Sequence, residues 1–329
     1  MKKNVILIIM LSLLIIYAPK VYADTITKTG LVVSQKEYNN LLNLGFSKEE
    51  IDQMSKEVFD ENKNIEATLI ATDTKYYKST FKKNSKKRNE EYTFISTEEI
   101  TKLEYENEIN NDKLRSSDEI VNTEYKKMTL SLSFISSSKQ YRVKNVLTWK
   151  KMPSTRSYDI IAIGNNNSVS EPIANTYHAD ITYSTYDTCL TTNYSNYKTD
   201  GFTWTKSSQG AGATFTLPKN SSKEYNWNEL LGIEYPCVDT SHKLGPNGTY
   251  NAPLNITGIT TTMYFNLSKV SKAALNAYGS YRHSKKSISI SPSFSIVPGG
   301  SPSISLNASL SSKYDSMSDT HITILNPKW

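Results

Sequence analysis

Histidine is scarce in this chain: His178, His242, His283 and His321 are the only four, and histidine is the usual proton-transfer group near neutral pH. His178-x-Asp180 has the spacing that places both side chains on one face of a strand. Two ligands fall short of the three or four a zinc ion takes, so no metal is assigned. The sequence contains no G-x-S-x-G elbow, no H-E-x-x-H and no clustered Cys/His spacing. Gly210-Ala211-Gly212 is too short to cradle a phosphate and reads as a hairpin turn. Paired carboxylates for glycoside cleavage would have to come from only 11 unclustered acids in residues 128–329. No catalytic residue and no cofactor is assigned. The chain reads as non-catalytic, with a secreted hydrolase of dispersed site as one alternative.

Aromatic residues are the denser signal. Tyr177, Tyr183, Tyr186, Tyr194, Tyr197, Phe202 and Trp204 crowd around Cys189. Tyrosine and tryptophan offer an apolar ring with a polar tip, which suits stacking on carbohydrate; cross-strand pairs inside a core are the other use. Tyr183, Tyr186, Tyr194, Tyr197 and Trp204 are the candidate surface-binding residues. Cys189 and Cys237 are the only two cysteines. In an oxidising compartment their bridge would stabilise by about 4 kcal/mol in the chain-entropy model.

The compartment is suggested by residues 1–23. Lys2 and Lys3 precede an apolar run from Val5 to Tyr17, and Val21-Tyr22-Ala23 supplies small residues before Asp24. This pattern predicts a signal peptide cleaved after Ala23, and therefore secretion to the extracellular space or cell surface. The formal charge is +6; Lys2, Lys3 and Lys20 account for three of these, leaving +3. Residues 24–127 carry 17 basic and 21 acidic side chains (−4), residues 128–329 carry 18 and 11 (+7). A basic half outside the cell fits an anionic cell-wall polymer or a membrane surface better than nucleic acid.

These groups need elements to hold them. Ser34-Gln35-Lys36-Glu37 and Ser47-Lys48-Glu49-Glu50 are capping boxes, with Gly45 between them as a helix stop. Residues 24–64 are therefore expected to form a helical hairpin whose second helix carries Ile51, Met54, Val58 and Phe59. Leu41-x-x-Leu44-Gly45-Phe46-Ser47 resembles the first loop of ubiquitin-associated helical domains, and reads here as packing geometry. Tyr38-x-x-Leu41-x-x-Leu44-Gly45-Phe46-Ser47-x-x-Glu50-Ile51-x-x-Met54 resembles the N-terminal part of uncharacterised secreted proteins of Gram-positive bacteria; the resemblance implies secretion and no particular activity. Residues 65–127 are charged and poor in aliphatics, with 74–81 a candidate strand and 98–122 an exposed helix or connector, and read as a connector or, through a cut near Lys86-Lys87-Arg88, as part of a pro-segment covering 24–88.

From residue 128 the period becomes two. Met128, Leu130, Leu132 and Phe134 alternate with polar residues, 158–163 reads as a central strand, and 176–186, 202–206, 213–217 and 259–267 follow. The expectation for 128–329 is a mainly β, antiparallel β-sandwich-like domain. Residues 287–309 alternate serine with Ile288, Ile290, Phe294, Ile296, Ile304, Leu306 and Ala308 about Pro298-Gly299-Gly300-Ser301. That amphipathic hairpin resembles the insertion hairpins of β-pore-forming toxins. It implies a membrane-active β protein as the other alternative to an envelope-associated or ligand-binding β module with a basic surface.

Overall fold

The computed structural model describes residues 24–83, 92–111, 121–153, 155–226, 249–289, 291–297 and 304–329. The signal segment, Lys86-Lys87-Arg88, Cys237, His242 and the turn Pro298-Gly299-Gly300-Ser301 lie outside them. The described chain is mainly β, and its sheets are antiparallel. A short pair, β1 (Thr25–Ile26) and β2 (Val32–Val33), precedes the helices. The larger sheet is built from β3 (Ala67–Lys83), β4 (Tyr92–Ile100), β5 (Val121–Ile135), β6 (Gln140–Trp149), β9 (His178–Asp187), β10 (Thr192–Lys198) and β14 (Thr249–Lys269). Its order is β10-β9-β14-β6-β5-β3-β4, with β8 (Ser170–Pro172) and β13 (Ser221–Asn226) pairing along the length of β14. The second sheet runs β11 (Thr203–Ser207), β12 (Gly210–Thr216), β7 (Tyr158–Asn165), β15 (Leu275–Arg282) and β18 (Thr320–Ile324).

Alternation decides which face of each strand is apolar. Met128, Leu130 and Leu132 of β5 join Trp149, Ile181 and Phe265 from the larger sheet and Ile161, Ile163, Phe215 and Tyr281 from the second in one buried cluster. Each such side chain contributes about 1.5–3 kcal/mol when removed from water. The expected central strand at 158–163 is the middle strand of the second sheet. Gly210 and Gly212 are a correction: they belong to β12, and the turn is formed by Ser208 and Gln209. A Cβ on Gly210 would overlap the Ile163 carbonyl, so glycine here permits close strand approach.

Residues 65–127 are more than a connector. They supply β3, β4, the helix α4 (Lys102–Asn111) and the first half of β5. Tyr77, Phe81, Tyr105 and Tyr125 do the burying that aliphatics do elsewhere. Because β3 is hydrogen-bonded on both sides, to β4 and β5, release of 24–88 would remove an interior strand of the larger sheet.

The N-terminal block has three helices, not two: α1 (Gln35–Asn43), α2 (Lys48–Asp52) and α3 (Lys56–Asn62). Both capping boxes form. The expected second helix stops at Gln53, and Ser55 caps a new one through the Val58 N–H at 3.3 Å. Leu41, Leu44, Phe46, Ile51, Met54, Val58 and Phe59 pack together against Ile135 and Tyr264 of the larger sheet. Gly45, at φ 85°, turns the chain directly against Ser131. Under this apolar cap lies an ion pair: Lys144 Nζ donates to Glu50 Oε1 at 2.6 Å, with the lysine side chain 1% exposed. Burial lowers the Lys144 pKa, opposed by the attraction of Glu50.

The C-terminal hairpin is also corrected. Among the described residues its ladder is three residues per arm, β16 (Phe294–Ile296) against β17 (Ile304–Leu306), and residues 308–311 form a short helix α5 (Ala308–Ser311). Ile296 and Ile304 pack with Ile160, Ala162 and Tyr314 on the outer face of the second sheet. Neither arm has the ~9–11 residues a membrane strand requires.

Glu50 serves both the second capping box and Lys144. E50Q keeps an acceptor for the Ser47 N–H but leaves Lys144 buried without its counter-charge. Denaturant unfolding should show a loss of about 3–5 kcal/mol for E50Q, with most of it regained in the double variant E50L/K144M. Equal midpoints for E50Q and the parent would contradict this.

Candidate functional site

One cluster of groups suited to acid–base chemistry is enclosed. Asp159 is fully buried: Tyr281 Oη donates to it at 2.6 Å, the Ser284 N–H at 3.1 Å, and His283 Nδ1 lies 2.9 Å away. His283 Nε2 is 3.9 Å from Glu124, and Lys126 Nζ pairs with Asp315 at 2.5 Å. Trp149 separates the two basic groups, 4.7 Å from the His283 ring and 4.8 Å from Lys126 Nζ. Burial alone would lower the His283 pKa, but the charge and hydrogen bond of Asp159 outweigh it and the net shift is upward. Tyr281 is pushed far up by burial and the same carboxylate. This cluster joins β5, β7 and β15 to the C-terminal segment, and its members are buried.

His178 and Asp180 do share a face of β9, with Nε2 2.8 Å from Oδ2, and the imidazole stacks on Tyr264 at 4.6 Å. His321 stacks on Tyr278. No group of three His, Cys, Asp or Glu side chains among the described residues is placed to hold a metal ion.

The aromatic residues gather at one margin of the molecule. β10 is one edge strand of the larger sheet and β11 one edge strand of the second, joined by residues 199–202. The five candidates do not form a single platform. Tyr183 and Trp204 pack against the main core cluster. Tyr194 lies on the same face as Tyr183, with Lys223 Nζ 5.7 Å from its ring. Tyr186 and Tyr197 occupy the opposite face, and Tyr197 is 56% exposed. Lys206, which the sequence reading passed over, stands 4.2 Å from the Tyr177 ring and 5.2 Å from that of Trp204. Period-two spacing to Trp204 is the signal that marks it.

Cys189 is buried with Tyr225 and Ala252, and its N–H donates to Asp187 Oδ1 at 2.8 Å. The expected partner, Cys237, is outside the described residues.

No protein-family model and no curated protein matches the chain.

The raised His283 pKa has a definite sign in stability. A histidine whose folded pKa exceeds its unfolded value near 6.5 stabilises fully below that value and less as pH rises through the folded pKa. Thermal unfolding followed from mildly acidic to alkaline pH should therefore show a falling midpoint above about pH 6.5, and H283Q should lower the acidic midpoint and flatten the dependence. An unchanged slope in H283Q would remove His283 as its origin.

Proposed function

We propose that this is a secreted, non-catalytic binding module in which the two antiparallel sheets form a β-sandwich, and that it associates with an anionic polymer of the cell envelope. Cleavage after Ala23 and a Cys189–Cys237 bridge belong to the same proposal. The observation that supports it is the margin formed by the edge strands β10 and β11, which carries exposed Tyr197 on β10 and, on β11, Lys206 over the half-buried rings of Tyr177 and Trp204. Rings stack on saccharide or polyol surfaces, and ammonium groups meet anionic substituents. Enclosure of the Asp159, His283 and Lys126 cluster supports a non-catalytic role. The short β16–β17 ladder weighs against membrane insertion through that hairpin.

The test is co-sedimentation of the mature chain with purified cell walls. Binding should weaken steadily as salt rises. Y197A/K206Q should bind about tenfold more weakly, as expected for losing about 1–2 kcal/mol of stacking and cation contacts. Absence of binding, or binding indifferent to salt, would contradict the proposal.

A further inference from the structure

A groove beside this margin is lined by cations that lack carboxylate partners. It holds about 440 Å³, a size within the roughly 300–1,000 Å³ of ligand sites. Arg156, Lys198 and Lys219 line it with Ser157, Tyr158 and Thr216. No carboxylate lines it, and among the described residues none pairs with these three cations. Burial lowers the Arg156 pKa, the direction expected when a cation leaves water without an anion.

Arg156 is also held in place. Arg156 donates to Asn220 Oδ1 at 2.7 Å, and that oxygen accepts the Ile256 N–H at 3.1 Å. Asn220 Nδ2 in turn donates to Asn255 Oδ1 at 3.2 Å. The guanidinium is thus oriented by a neutral amide, with further donors left for a ligand. On another wall Ser157 Oγ donates to the Ile288 carbonyl at 2.9 Å and accepts the Ile288 N–H at 2.8 Å. Lys198 lies against Gly201, whose φ is +74° and whose added Cβ would sit 3.0 Å from Nζ.

A guanidinium fork and two ammonium groups from three separate segments suit an anion with oxygens pointing in several directions. A planar carboxylate engages a single fork fully; a tetrahedral phosphate also offers oxygens in other directions. We propose that this groove is an oxyanion site that takes a phosphate group carried by the envelope polymer. The proposal rests on the binding reading above and names the anionic group of that ligand.

Titration of the mature chain with poly(glycerol phosphate), inorganic phosphate and phosphatidylglycerol vesicles tests it. The polymer should bind, and inorganic phosphate should displace it where chloride of equal ionic strength does not. R156Q should weaken polymer binding by about tenfold, and K219Q, at an exposed position, should weaken it without touching the fold. Equal binding by parent, R156Q and K219Q, or equal displacement by phosphate and chloride, would overturn the site. Binding to vesicles alone would assign the groove to lipid headgroups and overturn the polymer. Walls still retained by R156Q and K219Q would remove the groove and keep the envelope reading. Phosphate binding without any wall binding would remove the envelope reading and, with it, the polymer as carrier.

Discussion

Charge enclosed between two sheets is the constraint on which this structure depends. Glu124, Lys126, Asp159, His283 and Asp315 are all buried, and each is tolerable there only because another member faces it. Breaking one such pair leaves an uncompensated charge at a cost of about 3–5 kcal/mol, far more than the loss of a typical surface contact. Apolar packing would let the sheets slide by small amounts; Lys126 of β5 paired with Asp315, and Glu124 of β5 3.9 Å from His283, resist that sliding. The register of β7 against β15, and the seat of the C-terminal segment on β5, follow from these contacts.

That fixation extends to the surface. Arg156, Ser157 and Tyr158 immediately precede Asp159, and Ser287 and Ile288 follow His283 and Ser284 by a few residues. The two segments are then tied together by the Ser157–Ile288 hydrogen bonds. A buried interior thus positions Arg156 at the groove, near the margin where edge strands of both sheets bring Tyr197 and Lys206 to solvent. A preorganised site binds without an ordering cost, which suits a module that holds a ligand and does not transform it.

The sequence exposed some of this and concealed the rest for physical reasons. The capping boxes at Ser34 and Ser47 are local hydrogen-bond patterns, so they were legible. The break at Gln53 was not, because Ile51, Met54 and Val58 keep helical spacing across it. Strands after residue 128 were legible from alternation. Residues 74–81 of β3 were legible as a strand; its full length and β4 were hidden because the segment is rich in charge and poor in aliphatics, with Tyr77 and Phe81 the buried apolar residues of β3. Lys126 and Lys144 are sequence-identical to solvated lysines, and only contacts with Asp315 and Glu50, 189 and 94 residues away, distinguish them. The serine alternation of 287–309 suggested long arms, but the Ile288 backbone bonds to Ser157, 131 residues away. The aromatic crowd was visible; its division between two faces and the approach of Lys206 depend on register. The groove was invisible because its cations come from three distant segments.

Hydrogen exchange on the mature chain, with and without purified cell wall, tests the central claim most directly. The account predicts added protection confined to residues 156–158, 192–206 and 216–219, with the interior strands β5, β7 and β15 unchanged. Protection elsewhere, such as along β4 or over the N-terminal helices, with none at these three segments, would contradict it.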